Sequence, residues 1–302
     1  MKRYSTKQFY SFGLLAFFLP AILVAADAQR DYAFSDFIRV SKPEGQRTAV
    51  SYDTAIAKFF DERNNVEVHL IGVIHIGDRE YYEELNEIFK RYDAVLYELV
   101  AEPDARPERG RASDRENQSI LSAFQSGMGN ALGLDFQLDH IDYRARNMIH
   151  ADLSPAEFAQ RAAERGDLMQ MFYRAILQST RGGQDARNNE LRLQGRLIGS
   201  FFARDPSLSL RRLLAEEMMN QLDDAGWIIG GEGSAIITDR NNAALDVLRR
   251  EIQNGKKKIA IFYGAAHLPE FAKSLERDFQ MKKTGVEWLI AWDLTSDRSA
   301  RK

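Results

Sequence analysis

Two segments near opposite ends of the chain are written in one pattern: a short apolar run, Gly-x-x-His, then an amphipathic stretch at helical spacing. In the first, Val66 to Ile71 leads into Gly72-Val73-Ile74-His75, and Tyr81, Leu85, Ile88 and Tyr92 then recur at the helical period, with Tyr82 and Phe89 beside them. A second apolar run, Ala94 to Val100, follows, and strand, helix, strand within roughly 35 residues is a βαβ unit that implies a parallel pair. In the second, Lys258 to Tyr263 leads into Gly264-Ala265-Ala266-His267, a helix over Leu268 to Phe279 and a closing strand over Val286 to Leu294. Such alternation predicts an α/β fold: a mixed central sheet flanked by helices.

The N-terminus sits outside that pattern. Lys2, Arg3 and Lys7 precede a charge-free run from Phe12 to Ala26, long enough for the apolar core of an export signal and short for a membrane span, which needs about 20 residues. Pro20 breaks the run, and Ala26-Asp27-Ala28 has the small-x-small form of a cleavage site. Residues 1–28 are therefore expected to be a signal peptide and 29–302 the mature domain, with no stable membrane span after cleavage; an uncleaved anchor is the alternative. Removal takes the net charge from −3 to −5 and leaves 274 residues. Export without a single cysteine points to a bacterial periplasm. The missing cysteine also rules out disulfides, thiol nucleophiles and thiolate metal sites, so any metal must be held by histidine or oxygen ligands. The near-neutral charge argues against nucleic-acid binding.

Between the two patterned segments the signals change. Thr48 to Phe60 and Val66 to Ile71, separated by Asp61-Glu62-Arg63-Asn64-Asn65, read as a hairpin. Glu102 to Gln118 is a charged, proline-containing connection. From about 116 to 225 the chain reads as a helical insertion, with Ser154-Pro155-Ala156-Glu157 a capping box and further helices near Leu168–Gln178, Asn189–Phe202 and Leu208–Leu222. After it, Arg240 to Asn254 is a helix with Thr238 or Asp239 as its cap and Gly255 past its end.

The chemistry concentrates at the two junctions. With five histidines and 20 glycines in 302 residues, about a third of one Gly-x-x-His match is expected by composition, and two occur, both between strand and helix. Ligands in α/β folds bind outside the carboxyl ends of the strands, where glycine permits a tight turn or a close approach. His75 and His267 can each face that mouth as a metal ligand or general base. Glu98 ends the strand expected to pair with the one leading to His75, and an unpaired carboxylate beside Val95, Leu96, Leu99 and Val100 would be costly. His75, His267 and Glu98 thus form a candidate three-ligand set with positions open for water.

Other polar residues have simpler readings. Asp78 is the N-cap of the helix after His75 rather than a further ligand. His69 packs in or beside the sheet, and His140 and His150 are surface or structural. Gly230-Gly231-Glu232-Gly233-Ser234 is neither a phosphate loop nor a nucleophile elbow. Lys256-Lys257-Lys258 is a solvated turn. Met218-Met219 and Phe201-Phe202 indicate core or lid packing.

Four patches, VHLIGVIHIGDREYYEEL, YDAVLYELV, IITDRNNAALDVL and IAIFYGAAHLPEF, together resemble the TraB/PrgY/GumN family, which includes the Tiki proteins. That resemblance implies a fold like the erythromycin-esterase and haem-binding ChaN proteins, and metal-dependent protease activity with manganese or cobalt. It further implies that His75, His267 and Glu98 are metal-binding or catalytic, that Gly72 and Gly264 are the motif glycines, and that Arg240 neutralises substrate or transition-state charge with Asn241 hydrogen-bonding nearby. The expected function is a periplasmic metal-dependent hydrolase (manganese, cobalt or zinc), a peptidase acting on a peptide or small-molecule substrate. A metal-free esterase-like hydrolase and a non-enzymatic haem- or metal-binding protein are the alternatives.

Overall fold

The computed structural model describes residues 31–45, 48–103, 105–109, 131–165, 184–228 and 235–295. The proposed signal peptide, the helix near Leu168–Gln178 and the glycine-rich stretch 230–234 with Glu232 lie outside them. The described elements are β1 (Ile38–Ser41), β2 (Ser51–Asp61), β3 (Val66–Val73), β4 (Ile76–Gly77), α1 (Arg79–Phe89), β5 (Ala94–Tyr97), β6 (Asp135–Phe136), α2 (Gln137–His140), β7 (Met148–His150), α3 (Pro155–Arg165), α4 (Gln184–Phe201), α5 (Pro206–Ile228), α6 (Arg240–Gln253), β8 (Lys258–Gly264), α7 (Leu268–Phe279) and β9 (Lys282–Asp293).

The main sheet is mixed. β2 takes β9 antiparallel along one edge, and β1 and β3 antiparallel along the other. From β3 onward the order is β3-β8-β5-β7, all parallel. Side chains alternate between two cores with the period of a pleated strand. Ile71, Val73, Val95, Tyr97, Ala260 and Phe262 face one core with α1, whose Tyr81, Tyr82, Leu85, Ile88 and Phe89 are buried. Val68, Leu70, Ala94, Leu96, Ile259 and Ile261 face the other with α6 and α7, through Leu245, Leu248, Phe271 and Leu275. Helices on both faces bury the parallel strands, as such strands require.

Local chemistry sets the element ends. Asn65 takes the left-handed conformation (φ 51°) in the β2–β3 turn, and Gln280 does so (φ 54°) at the end of α7, where Met281 N–H bonds Leu275 O at 3.0 Å in place of the usual glycine-closed cap. The capping box is formed: Glu157 N–H donates to Ser154 Oγ at 3.2 Å, and Ser154 N–H to Glu157 Oε2 at 2.9 Å. Gly255 sits past α6 at φ 87°.

Three sequence expectations change. The strands carrying His75 and Glu98 are parallel but not paired: β8 lies between them, because it matches both in register, Val73↔Gly264 on one side and Tyr97↔Phe262 on the other. The insertion is not all helical, since Met148–His150 joins the main sheet and Asp135–Phe136 pairs with β4. These strands are two or three residues long, too short for a periodic signal. Phe201 and Phe202 do not pack: they are 62 % and 85 % exposed at the end of α4. No helix among the described residues is long and apolar enough to cross a membrane.

Candidate functional site

Because β3, β8, β5 and β7 are parallel neighbours, their carboxyl ends open on one edge of the sheet. They deliver, in order, His75, the Gly264–His267 turn, Glu98 and Asp152. Each polar group at that edge is held by a specific partner.

Glu98 follows β5, and its backbone N–H continues the ladder to Phe262 O at 3.1 Å. Its Oε2 accepts the Gly264 N–H, and its Oε1 accepts Arg240 Nη2 at 2.6 Å. A Cβ built on Gly264 would stand 3.1 Å from Glu98 Oε2, so glycine is needed here for close approach rather than for an unusual φ. Gly72 has a different use: its missing Cβ admits Leu268 Cδ2, at 3.1 Å, at the start of α7.

Arg240, the first residue of α6, is gripped from the other side by Asp152, through Nε to Oδ1 at 3.0 Å and Nη2 to Oδ2 at 2.6 Å. The Asp152 side chain has no solvent exposure, and those of Glu98 and Arg240 are each 11 % exposed. Asp152 was not singled out from the sequence: the strand it follows is three residues long and leaves no periodic signal. The structure thus gives the Arg240 charge two internal carboxylates to neutralise. That leaves it less free for substrate charge than the resemblance implies, and the three side chains together carry one net negative charge.

The two imidazoles are oriented alike. Asn241 Nδ2 donates to His267 O at 3.3 Å, so its Oδ1, 2.6 Å from His267 Nδ1, must accept. Nδ1 therefore carries the proton, and the bare Nε2 faces Glu98 Oε1 at 3.6 Å. Tyr263 packs edge-on against the same ring and donates its hydroxyl to Ala151 O. On the other face of the sheet Gln137 Nε2 bonds Tyr143 Oη at 2.8 Å, leaving Gln137 Oε1 to accept from His75 Nδ1 at 3.0 Å. Tyr81 and Tyr82 of α1 donate to Gly72 O and Ile74 O, at 3.0 and 2.9 Å, and so fasten the loop that carries His75. Asn241 is committed to orienting His267, and Gln137, not recognised in the sequence, does the same for His75. His75 itself is exposed.

Burial would push the Glu98 carboxyl up; His267, Arg240, His75 and the Gly264 N–H act against it, and the carboxyl falls to about 2. Burial pulls the His267 ring down to about 4, with Glu98 opposing and Arg240 and His75 assisting. At neutral pH the site therefore holds an ionised carboxylate and a neutral imidazole, with Arg240 and the Gly264 N–H stabilising the carboxylate. His75 acts on both groups, which places it within electrostatic reach of the pair.

The bare His267 Nε2 and the lone pair that Glu98 Oε1 keeps beside its Arg240 bond face each other at 3.6 Å, which suits a cation or a substrate proton between them. By donor chemistry, His75 Nε2, His267 Nε2 and Glu98 Oε1 fit a divalent metal, with Gln137 and Asn241 as the partners that orient metal-bound imidazoles. As arranged, no group of three or more His, Asp or Glu side chains among the described residues closes around a metal position. Arg240 occupies the same Glu98 oxygen that His267 faces.

The remaining candidates fall elsewhere. Asp78 precedes α1 but does not cap it with its side chain, which is turned to Arg211 and to the N–H of Asp293. Asp239 likewise spends its carboxylate on Arg165 rather than on α6. His69 is buried between Tyr92 and Glu67, His150 bonds Leu99 O at 2.6 Å, and His140 stands 3.3 Å from Asp135. No model of a known protein family matches this chain, and neither a curated protein nor a solved structure shows significant similarity to it.

Proposed function

We propose that this chain is a hydrolase whose reactive centre is His75, His267 and Glu98, with a divalent metal (manganese, cobalt or zinc) as its cofactor and a peptide as the leading substrate class. One observation carries the reading: at the carboxyl ends of parallel strands stand two imidazoles, each fixed by an amide through Nδ1, with His267 Nε2 3.6 Å from an ionised carboxylate and His75 within electrostatic reach of it. His75 and His267 would hold the metal with Glu98, and a bound metal supplies an acidified water and a polarised carbonyl at neutral pH. Glu98, ionised and anchored on the Gly264 N–H, or one of the histidines would move the proton. Arg240 and Asp152 keep Glu98 charged and aimed. The four matching patches support the TraB/PrgY/GumN family and its erythromycin-esterase- and ChaN-like fold, and the apolar N-terminus supports export to a bacterial periplasm.

A second reading has its own support. The Arg240–Glu98 contact suits a metal-free site in which neutral His267 is the general base for an ester or other acyl substrate. The haem-binding alternative has only the exposed His75 in its favour, since the His267 side chain is 5 % exposed.

Metal analysis and an absorbance spectrum of the purified protein, followed by a peptide-library digest, separate these. Near-stoichiometric divalent metal that is lost in both His75→Ala and His267→Ala is expected. Full metal content in both folded variants would overturn a shared metal site. Hydrolysis without metal that needs both histidines would establish the second reading, and a Soret band the third.

A further inference from the structure

The last helix of the insertion, α5, holds an arginine that no part of the proposed chemistry uses. Arg211 on α5 is 1 % exposed. Its Nε and Nη2 donate to the backbone carbonyls of Leu132 and Gly133, and its Nη1 donates to Asp78 Oδ1 at 3.1 Å. These acceptors flank His75. The Leu132–Gly133 segment runs into β6 and then Gln137, which receives the His75 ring and donates its own N–H to His75 O at 2.9 Å. Asp78 closes the other side, three residues past His75, where its Oδ2 accepts Asp293 N–H at 2.6 Å and its backbone N–H bonds Ala291 O at 2.9 Å. Between the two, β4 pairs with β6, Ile76↔Phe136 and Gly77↔Asp135.

We propose that Arg211 is a positioning residue for His75: one guanidinium fork ties the strand that carries Gln137 to the loop that carries His75, and so sets the ring's tautomer and direction. The inference rests on reading His75 as a working imidazole of the site. A buried ion pair is a poor device for stability, because desolvation offsets the attraction, and a good one for registry. The planar fork matters, since three acceptors in different directions need fixed donors that an ammonium on a flexible stem does not provide. On this reading the insertion does more than cover the sheet: α5 reaches under the His75 loop and holds it.

The test reads the His75 ring by nitrogen NMR of the full chain labelled in histidine, so it needs neither substrate nor metal. Free histidine favours the proton on Nε2, whereas the wild-type His75 signal should show it on Nδ1. Arg211→Lys should shift His75 to a mixture, a several-fold change in the tautomer ratio, while His267 keeps its wild-type signal as an internal control. Asp78→Asn, which leaves the carbonyl bonds of Arg211 in place, should produce a smaller shift in the same direction. An unchanged His75 signal in folded Arg211→Lys, or equal changes at His75 and His267, would overturn the proposal. If neither variant folds, native-state hydrogen exchange of the wild type decides. Arg211 Nε–H and Gln137 N–H should exchange through one shared opening, and faster, independent exchange at Gln137 would sink the idea. Failure of the hydrolase reading would appear instead in metal content and hydrolysis, and would leave the tautomer result standing.

Discussion

At the scale of single residues, the site is governed by what burial does to charge. Glu98 and Asp152 are two carboxylates around one guanidinium, so Arg240→Ala would leave both buried and unpaired. We expect a loss of about 3–5 kcal/mol, read by urea unfolding, and a larger loss than for Arg249→Ala, whose ion pair is exposed. Acidification acts in two steps. His267 titrates near 4 in the folded chain against 6.5 for its ordinary value, so the unfolded chain binds its proton first and stability falls as pH drops from about 6.5 to 4. The depressed Glu98 contributes stability that is present above about 4.5 and lost toward 2. Because His267 is also the foremost charge holding the Glu98 carboxyl down, His267→Gln should flatten the upper limb of a stability–pH curve and shrink the lower one. These partnerships were only partly legible in the chain. Glycine and histidine at a strand end advertise a site, but Asp152 and Gln137 are ordinary residue types in stretches without a periodic signal.

At the scale of elements, the junctions carry more information than the elements they join. Gly264→Ala would drive a methyl group against Glu98 Oε2 at 3.1 Å, displacing the carboxylate from its N–H partner; about 1–3 kcal/mol of destabilisation is expected, together with loss of any activity that depends on Glu98. Ser154→Ala tests a contrasting junction, two residues past Asp152. It removes the cap of α3 and should cost about 1 kcal/mol by denaturant unfolding. The capping box was readable because both its partners lie within four residues. Asp78, the expected cap of α1, and Asp239, one of the two expected for α6 beside Thr238, stand in cap-like positions, yet each spends its side chain on an arginine distant in sequence, Arg211 and Arg165. A cap is a local bond, and a better-placed distant charge displaces it.

At the scale of the whole molecule, the sheet assembles one site from four parts of the chain. If a divalent metal binds there, it binds the folded state, and at a hundred-fold excess over Kd it should add about 2.7 kcal/mol of stability. A manganese titration should raise the unfolding midpoint of the wild type and leave His75→Ala and His267→Ala unmoved. An equal rise in all three would place the metal elsewhere.

The amino-acid pattern alone was enough for the α/β class, the alternation that buries strands between helices, and the two strand–Gly-x-x-His–helix junctions, because these depend on periodicity and residue type over short spans. Only the tertiary structure decided that β8 lies between β3 and β5, that a three-residue strand inside the insertion brings Asp152 to Arg240, and that α5 sends Arg211 beneath His75. Those choices depend on register and on charge pairing between residues far apart in sequence, where the energy is settled by which partners can be buried together.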